Sequence, residues 1–466
     1  MKYLLVLAIL ILFPLKSFAN ENVFPLGVAS GDPLTDSVII WTKINESKSD
    51  VKIKYEVSED IDFNKIVSIG ESVTNSDKDY TVKVDVKGLK ADKTYYYRFI
   101  YNQEFSEIGR TKTLPLNTRK FKIAFTSCQH FSDGYFSGYE HIMKDNPDLI
   151  VMLGDFIYEY ARDKSGQVRE DNSGYAKDLE SFRKKYKIYL TDKSLRKARQ
   201  NFPFISIWDD HEVMNDYSGV DLMKKDPNKL LSGYKAYFEY IPIREIDKYR
   251  IYKNFKIGNL LELFMLDGRQ YRDENVCHDI FKIDGNCTRH AHDKERTYLG
   301  KEQKEWLIYN LEKSTSIWKV LGNNTAMLEI SLWGNLFNFD QWDGFYTEKE
   351  EFIHFIDDKV KNLLLITGDI HTFIEADIKH NSKVIAKEVT ATSLATRTHN
   401  VLKIATAIVP FFLSHVKYVE TNYRGYILTE FSTRKTDIYL YALDSVKTPE
   451  SNRFLLRHIE LISKKN

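Results

Sequence analysis

Four short stretches of this chain carry side chains suited to holding cations. In Gly154-Asp-Phe-Ile-Tyr a glycine permits a tight turn after an apolar run, and the turn presents Asp155 and Tyr158. A carboxylate there is able to bridge two cations, and a phenolate three residues on suits a hard trivalent one. Trp208-Asp-Asp-His-Glu sets Asp209, Asp210, His211 and Glu212 side by side after another apolar run. Four consecutive ionisable groups repel or desolvate one another unless cations or solvent compensate. Gly368-Asp-Ile-His places Asp369 and His371 two residues apart, so in an extended segment both point the same way and can clasp neighbouring metals. Each of these stretches taken alone also has an ordinary reading, as a helix-capping aspartate, a solvated charged loop or a structural histidine.

The fourth stretch is Ser127-Cys-Gln. The chain has three cysteines, and Cys277 and Cys287 flank a loop containing Gly and Asp. In an oxidising compartment they are the natural disulfide pair, which leaves Cys128 as the odd thiol, either a ligand or a buried inert side chain.

The elements that must position these groups follow from the hydrophobic pattern. After Pro115, apolar strand-like runs alternate with helical segments such as Lys177 to Gln200, Asn228 to Tyr240 and Lys301 to Lys313, which is the α/β signature. The runs beginning at Phe121, Asp148, Phe204, Leu261, Trp318 and Leu363 end at Cys128, Asp155, Asp209-Asp210-His211, Asp267, Asn323 and Asp369. Open α/β sheets place their ligands at the carboxyl ends of strands, so these residues are able to converge. Ahead of this region, from about Phe24 to Leu114, short runs rich in Val, Ile, Thr and Tyr alternate polar and apolar residues between turn clusters. That pattern suggests an antiparallel β-sandwich similar to fibronectin type III domains.

Composition agrees with a large folded chain. Its 466 residues, 43% hydrophobic and 29% charged, suggest two or more domains and argue against disorder. Residues 1–19 read as a secretory signal, with Lys2 before an apolar run from Leu4 to Leu15 and Ser17-Phe-Ala as the cleavage site. The expected product is exported, to a periplasmic or extracellular space. Removing Lys2 and Lys16 takes the formal charge from +1 to −1, so no basic excess is left to hold nucleic acid, and an anionic substrate must be held by local charge. Val401 to Val416 is apolar but interrupted by Lys403, Pro410 and His415; core or lid packing is expected there rather than a membrane span. Asn452 to Leu461 reads as a short amphipathic helix.

Taken in order, these motifs resemble the binuclear metallophosphoesterases, and their variants resemble the PhoD-type alkaline phosphatases. The resemblance is carried by Phe24-Pro-Leu-Gly-Val-Ala-Ser-Gly-Asp-Pro, Ser127-Cys-Gln, Gly154-Asp-Phe-Ile-Tyr-Glu-Tyr, Trp208-Asp-Asp-His-Glu-Val, Leu266-Asp-Gly-Arg-Gln-Tyr-Arg and Gly368-Asp-Ile-His. It implies a four-layer αββα catalytic domain over 117–466, preceded by a small β-sandwich domain over 20–116. It further implies a ferric ion on Cys128, Asp155, Tyr158 and His371, with one or two calcium ions beside it. Asp155 would bridge to the first calcium, approached by Asp210 and Asp369, with Asp209 and Asn215 as weaker ligands.

The activity so implied is hydrolysis of phosphate monoesters and diesters by a metal-bound hydroxide, in a monomeric enzyme with no transmembrane span. His211 would bind phosphate or protonate the leaving oxygen, and Arg269 would contact substrate or form a structural ion pair. One alternative is a phosphodiesterase or phospholipase D-like enzyme acting on lipid or wall-polymer esters. Another, of a different class, is a non-catalytic surface binding protein, which would have no need of this combination of sulfur, phenolate, carboxylates and imidazole.

Overall fold

The structure is a computed structural model that describes residues 22–277, 285–332, 335–336, 338–398 and 413–464. Two large mixed sheets dominate it. The first has nine strands, in the spatial order Arg453–Ile462, Lys435–Leu443, Arg424–Ser432, Lys120–Thr126, Leu149–Met152, Pro203–Ser206, Val28–Gly31, Ser37–Lys43 and Thr81–Lys87. The second has seven: Lys253–Ile257, Leu261–Met265, Trp318–Gly322, Leu363–Thr367, Lys383–Thr390, Phe373–His380 and Val416–Glu420.

The alternation of side chains along the central strands decides how the sheets are buried. In Leu363–Thr367, Leu364 and Ile366 join the main apolar cluster with Phe125, Val151 and Ile205 of the first sheet. Leu363 and Leu365 face the other way, into a cluster with Leu307 and Leu311 of the helix Lys301–Lys313 and Phe352 and Ile356 of the helix Tyr346–Lys359. A strand buried on both faces has no polar alternation, which is why these runs read as continuous apolar stretches. Phe182 and Tyr186 of the helix Leu179–Tyr189 and Tyr234 of Pro227–Tyr240 are also in the main cluster.

All six apolar runs expected to end at polar residues are strands. Within each sheet the central ones are parallel and end level, with Met152 opposite both Thr126 and Ser206, and Gly322 opposite both Met265 and Ile366. The segment Lys177 to Gln200 is not one helix. Asp192 accepts a hydrogen bond from the Leu195 N–H and starts a second helix, Lys193–Asn201, so a capping aspartate splits what periodicity reads as continuous. The expected helix over Asn452 to Leu461 is also overturned. Arg453–Ile462 is a strand paired along its length with Lys435–Leu443, because a ladder of interstrand hydrogen bonds outweighs local amphipathicity at a sheet edge.

The N-terminal strands do not stand apart from the rest. Val28–Gly31 runs parallel to Pro203–Ser206, so it, Ser37–Lys43 and Thr81–Lys87 extend the first sheet. Asp50–Ser58, Ile66–Asn75, Thr94–Tyr101, Glu104–Phe105 and Gly109–Lys112 form a separate five-stranded sheet. The two groups share an apolar cluster that includes Val38, Ile40 and Val82 on one side and Ile53, Val57 and Phe99 on the other. Residues 1–19, the expected leader, and most of Val401 to Val416 lie outside the described residues; of the latter, Leu413 and Val416 are buried in the cluster with Leu363 and Leu365. Among the described residues no helix is long and apolar enough to cross a membrane.

Candidate metal centre

Level strand ends bring the four sequence stretches to one place. Cys128, Asp155 and His371 offer ligand atoms within 4.8 Å of one another, as do Asp155, Asp210 and His211, and again Asp209, Asp210 and Asp369. Asp155 belongs to the first two groups and Asp210 to the last two, so the three form a connected row. Tyr158 closes the first group: its hydroxyl donates to Asp155 Oδ2 at 2.8 Å and lies 3.1 Å from His371 Nε2. His371 Nδ1 lies 3.2 Å from the Arg397 carbonyl, which can only accept. Nδ1 therefore carries the proton and Nε2 keeps its lone pair toward the cluster.

The loops that hold these groups are strained. Cys128, Asp155, Asp369 and His371 have φ of 52°, 54°, 69° and 52°, a left-handed region that side-chain-bearing residues avoid and that concentrates at functional sites. The surrounding contacts over-determine them. Cys128 N–H donates to the Gly154 carbonyl at 3.1 Å, and Gly368 N–H to the Asn324 carbonyl at 3.0 Å. Trp208 lies flat on Tyr234, 4.3 Å between ring centroids, and its Nε1 donates to Asp267 at 3.0 Å, which anchors the Asp209 loop.

Electrostatics show what the cluster favours. Burial, followed by the Asp155 charge, pushes the Cys128 thiol well up, and the same two causes raise the Tyr158 hydroxyl. Asp155 and Asp369 are raised by burial and by neighbouring carboxylates, and burial lifts Asp209 to about 6. Burial drives His371 down to about 3, so it is a neutral imidazole suited to ligation. By contrast, burial opposes charge on His211, but Asp210, Glu159 and Asp155 outweigh it and raise this histidine well above its ordinary value. Asp209 Oδ2 and Arg269 Nη2 are buried without a hydrogen-bond partner. A row of buried anions that disfavour one another, with a free carboxylate oxygen facing them, fits multivalent cations. The sulfur, phenolate and imidazole set suits a different ion from the all-carboxylate set.

Other sequence candidates make contacts of their own around this row. Asn215 is exposed and donates its backbone N–H to Glu159 at 3.1 Å. Asp267 caps its own turn, accepting from the Arg269 and Gln270 N–H groups. Asn323 turns away to the Thr325 carbonyl, whereas Asn324 Nδ2 reaches Asp209 Oδ1 at 2.8 Å. Arg269 is wholly buried and paired with Asp209 and Asp340, and its Nη2 lies 3.9 Å from Asp210 and 3.7 Å from Asp369.

Sequence reasoning gave no role to Glu159, Glu212, Asp340 and Gln341. Glu212, raised to about 8 by burial, accepts the N–H groups of Phe156, Asp209 and Asp155 at 2.6, 2.8 and 3.2 Å. It therefore fastens the second strand's loop to the third strand's loop. Two of the four sat inside the quoted motifs, as the glutamates following Tyr158 and His211. Asp340 and Gln341 had no motif to reveal them.

A row of groups able to hold cations along the strand ends of an α/β core is what a metal-dependent hydrolase requires. The chain belongs to the PhoD-like phosphatase family, whose model matches residues 123–440, while that of the PhoD-like phosphatase N-terminal domain matches residues 14–115. Alkaline phosphatase D of Bacillus subtilis (strain 168) is 35% identical over 457 residues, covering 89% of this chain and 77% of that protein. A solved structure described as PhoD has a TM-score of 0.87 at 32% identity, over 94% of this chain and 90% of its own. The protein is thus a phosphoric ester hydrolase of a metal-dependent family.

Proposed function

We propose that the protein is an exported alkaline phosphatase D-like enzyme acting on phosphate monoesters and diesters, with iron and calcium in its cleft. The observation that carries this reading is the meeting of Cys128, Asp155, Tyr158 and His371 in one group beside a second, all-carboxylate group. Iron would be held by those four residues. Calcium would be held by Asp155, Asp210 and Asp369, with Asp209 and the rim residue Asn215 as subsidiary ligands. Bound there, such cations neutralise phosphate oxygens and lower the pKa of a nearby water.

The chain's own residues do the rest. His211 has Nδ1 committed to Glu159 at 2.7 Å, and its carboxylate neighbours favour the imidazolium form. That leaves Nε2 to bind a phosphate oxygen and donate its proton to the leaving alkoxide. Arg269 balances Asp209 and Asp340, and its unpartnered Nη2 is the donor through which it would meet the substrate anion. Around this site we read the contacts as a four-layer αββα domain over 117–466. The preceding residues 20–116 are read as a fibronectin-like β-sandwich that shares the first sheet, the leader 1–19 as a signal peptide, and the enzyme as a monomer.

Elemental analysis of native protein with a visible absorption scan tests the reading. About one iron per chain, with calcium and a thiolate- or phenolate-to-iron band, is expected, and both iron and band should vanish in Cys128→Ala and Tyr158→Phe. Iron-free, colourless and fully active protein sinks the iron assignment. Side-by-side rates on p-nitrophenyl phosphate and its bis-ester decide monoester against diester preference.

A further inference from the structure

Behind the carboxylate end of the cleft lies a segment without regular structure whose side chains point into it. Asp340 is buried and accepts from Arg269 Nη1 at 2.9 and 2.8 Å, from Arg272 Nη2 at 2.6 Å and from Asn275 Nδ2 at 2.8 Å. Its backbone carbonyl accepts from Arg272 Nη1 at 2.8 Å. Through Arg269 it sets the place of Asp209. The next residue, Gln341, is buried too. Its Nε2 donates to Asp369 Oδ2, and its Oε1 accepts the Ala326 N–H. Two consecutive residues therefore hold Asp209 and Asp369 from the same side.

The turn Trp342–Phe345 that follows is anchored by Trp342 and Phe345 in the cluster with Phe352 and Ile356, but the residues just before Asp340 pack elsewhere. Phe339 sits in a small separate cluster with Cys287, Ala291 and Leu336, edged by Val276, Cys277 and Tyr346. Cys277 and Cys287 are joined by a disulfide with Cα atoms 6.0 Å apart. One arm of that bond leads back to Asn275, which donates to Asp340. The other opens the helix Gly285–Ala291, whose Thr288 Oγ1 accepts the Leu336 N–H at 3.3 Å. With four fully buried apolar members, the cluster gains little from burial alone, and the crosslink removes much of the freedom its two arms would otherwise regain.

We propose that Asp340 and Gln341 are positioning residues for the carboxylates of the cleft, and that the Cys277–Cys287 disulfide holds their segment in register. This rests on the reading of Asp209, Asp210 and Asp369 as a calcium-binding group. It makes the site sensitive to thiol reductants at a bond that is not itself in the cleft. An external dithiol would supply two electrons and two protons, converting the S–S bond to two thiols while it closes to its own cyclic disulfide.

The test uses the full mature chain, the Cys277→Ser/Cys287→Ser double variant and Gln341→Leu. Hydrogen exchange is followed by mass spectrometry with and without dithiothreitol, alongside calcium content and kcat/KM. In the double variant, and in wild type after reduction, exchange across residues 338–341 and at Ala326 should rise about tenfold or more, while Leu149–Met152 and Pro203–Ser206 stay protected. Calcium content should fall, and kcat/KM should drop about tenfold. Dithiothreitol should change the double variant no further, which separates this effect from reductant acting on iron. Gln341→Leu should lower calcium content and kcat with the fold intact.

Unchanged exchange across 338–341 in reduced, folded protein overturns the proposal, as does a folded double variant with wild-type calcium and kcat/KM. Should wild type itself hold no calcium, the functional reading of the carboxylates fails, while the exchange measurement still decides whether the disulfide holds the segment.

Discussion

Glu159 Oε2 lies 2.7 Å from Nδ1 of His211, and both side chains are buried. The other Glu159 oxygen accepts the Asn215 N–H at 3.1 Å, so the carboxylate cannot swing away without leaving a backbone donor unmet. The imidazole is thereby fixed in one orientation, with its charge balanced. The same logic orients histidines in other hydrolases.

Glu159→Gln keeps the shape of this contact and removes its charge. It is expected to lower kcat by roughly 10–100-fold with a smaller change in KM. The alkaline limb of the pH–rate profile should move to lower pH, because the His211 imidazolium loses a counter-charge. Steady-state kinetics across pH check this; an unmoved limb would show that Glu159 does not set the protonation of His211.

Gly154 has φ of +112°, and a Cβ added there would come within 2.5 Å of the Asp209 Cβ and 2.7 Å of the Asp209 nitrogen. Gly154→Ala is therefore both strained and overpacked, at a cost of about 1–3 kcal/mol. It should also push Asp155 and Asp209 out of place, so activity and bound metal are lost together while the fold survives. Retained metal in the folded variant would count against a shared site.

Arg269 is a buried cation among Asp209, Asp340, Asp210 and Asp369. Arg269→Gln leaves those charges uncompensated and is expected to destabilise the protein by about 3–5 kcal/mol. Arg269→Lys should not rescue it, because a point charge cannot replace a fork that meets two carboxylates. Urea unfolding monitored by tryptophan fluorescence measures both, and a loss under about 1 kcal/mol would show the pairing to be incidental.

Removing metal should expose a pH dependence. Asp209 is raised to about 6 and Glu212 to about 8, each chiefly by burial. A carboxyl whose value is raised on folding binds its proton more tightly in the native state. Its stabilising contribution is full below the unfolded value and is lost as pH climbs through the folded one. Chelated protein should therefore lose stability between about pH 4 and 8, where cations would otherwise replace the missing protons. The Tm gap between metal-loaded and chelated protein, measured by calorimetry, should be several degrees wider at pH 8 than at pH 5. An equal gap at both values would contradict this.

Much of the cleft was legible in the order of residues. Apolar runs buried on two faces, each followed by Cys128, Asp155, Asp209-Asp210 or Asp369, state where strands end and what they deliver, because both signals are local along the chain. What lies between distant residues was not legible. The pairing of Asn324 rather than Asn323 with Asp209, the Gln341 bond to Asp369, the closure of Glu212 on the Asp155 loop and the left-handed backbone at four candidate ligands are all set by packing between loops far apart in sequence. The C-terminal segment makes the same point, since its amphipathic pattern suggests a helix and a free sheet edge makes it a strand. Local chemistry marked the candidate ligands, and tertiary contacts chose their orientation and partners, because hydrogen bonds and burial are settled by which surfaces meet and not by spacing along the chain.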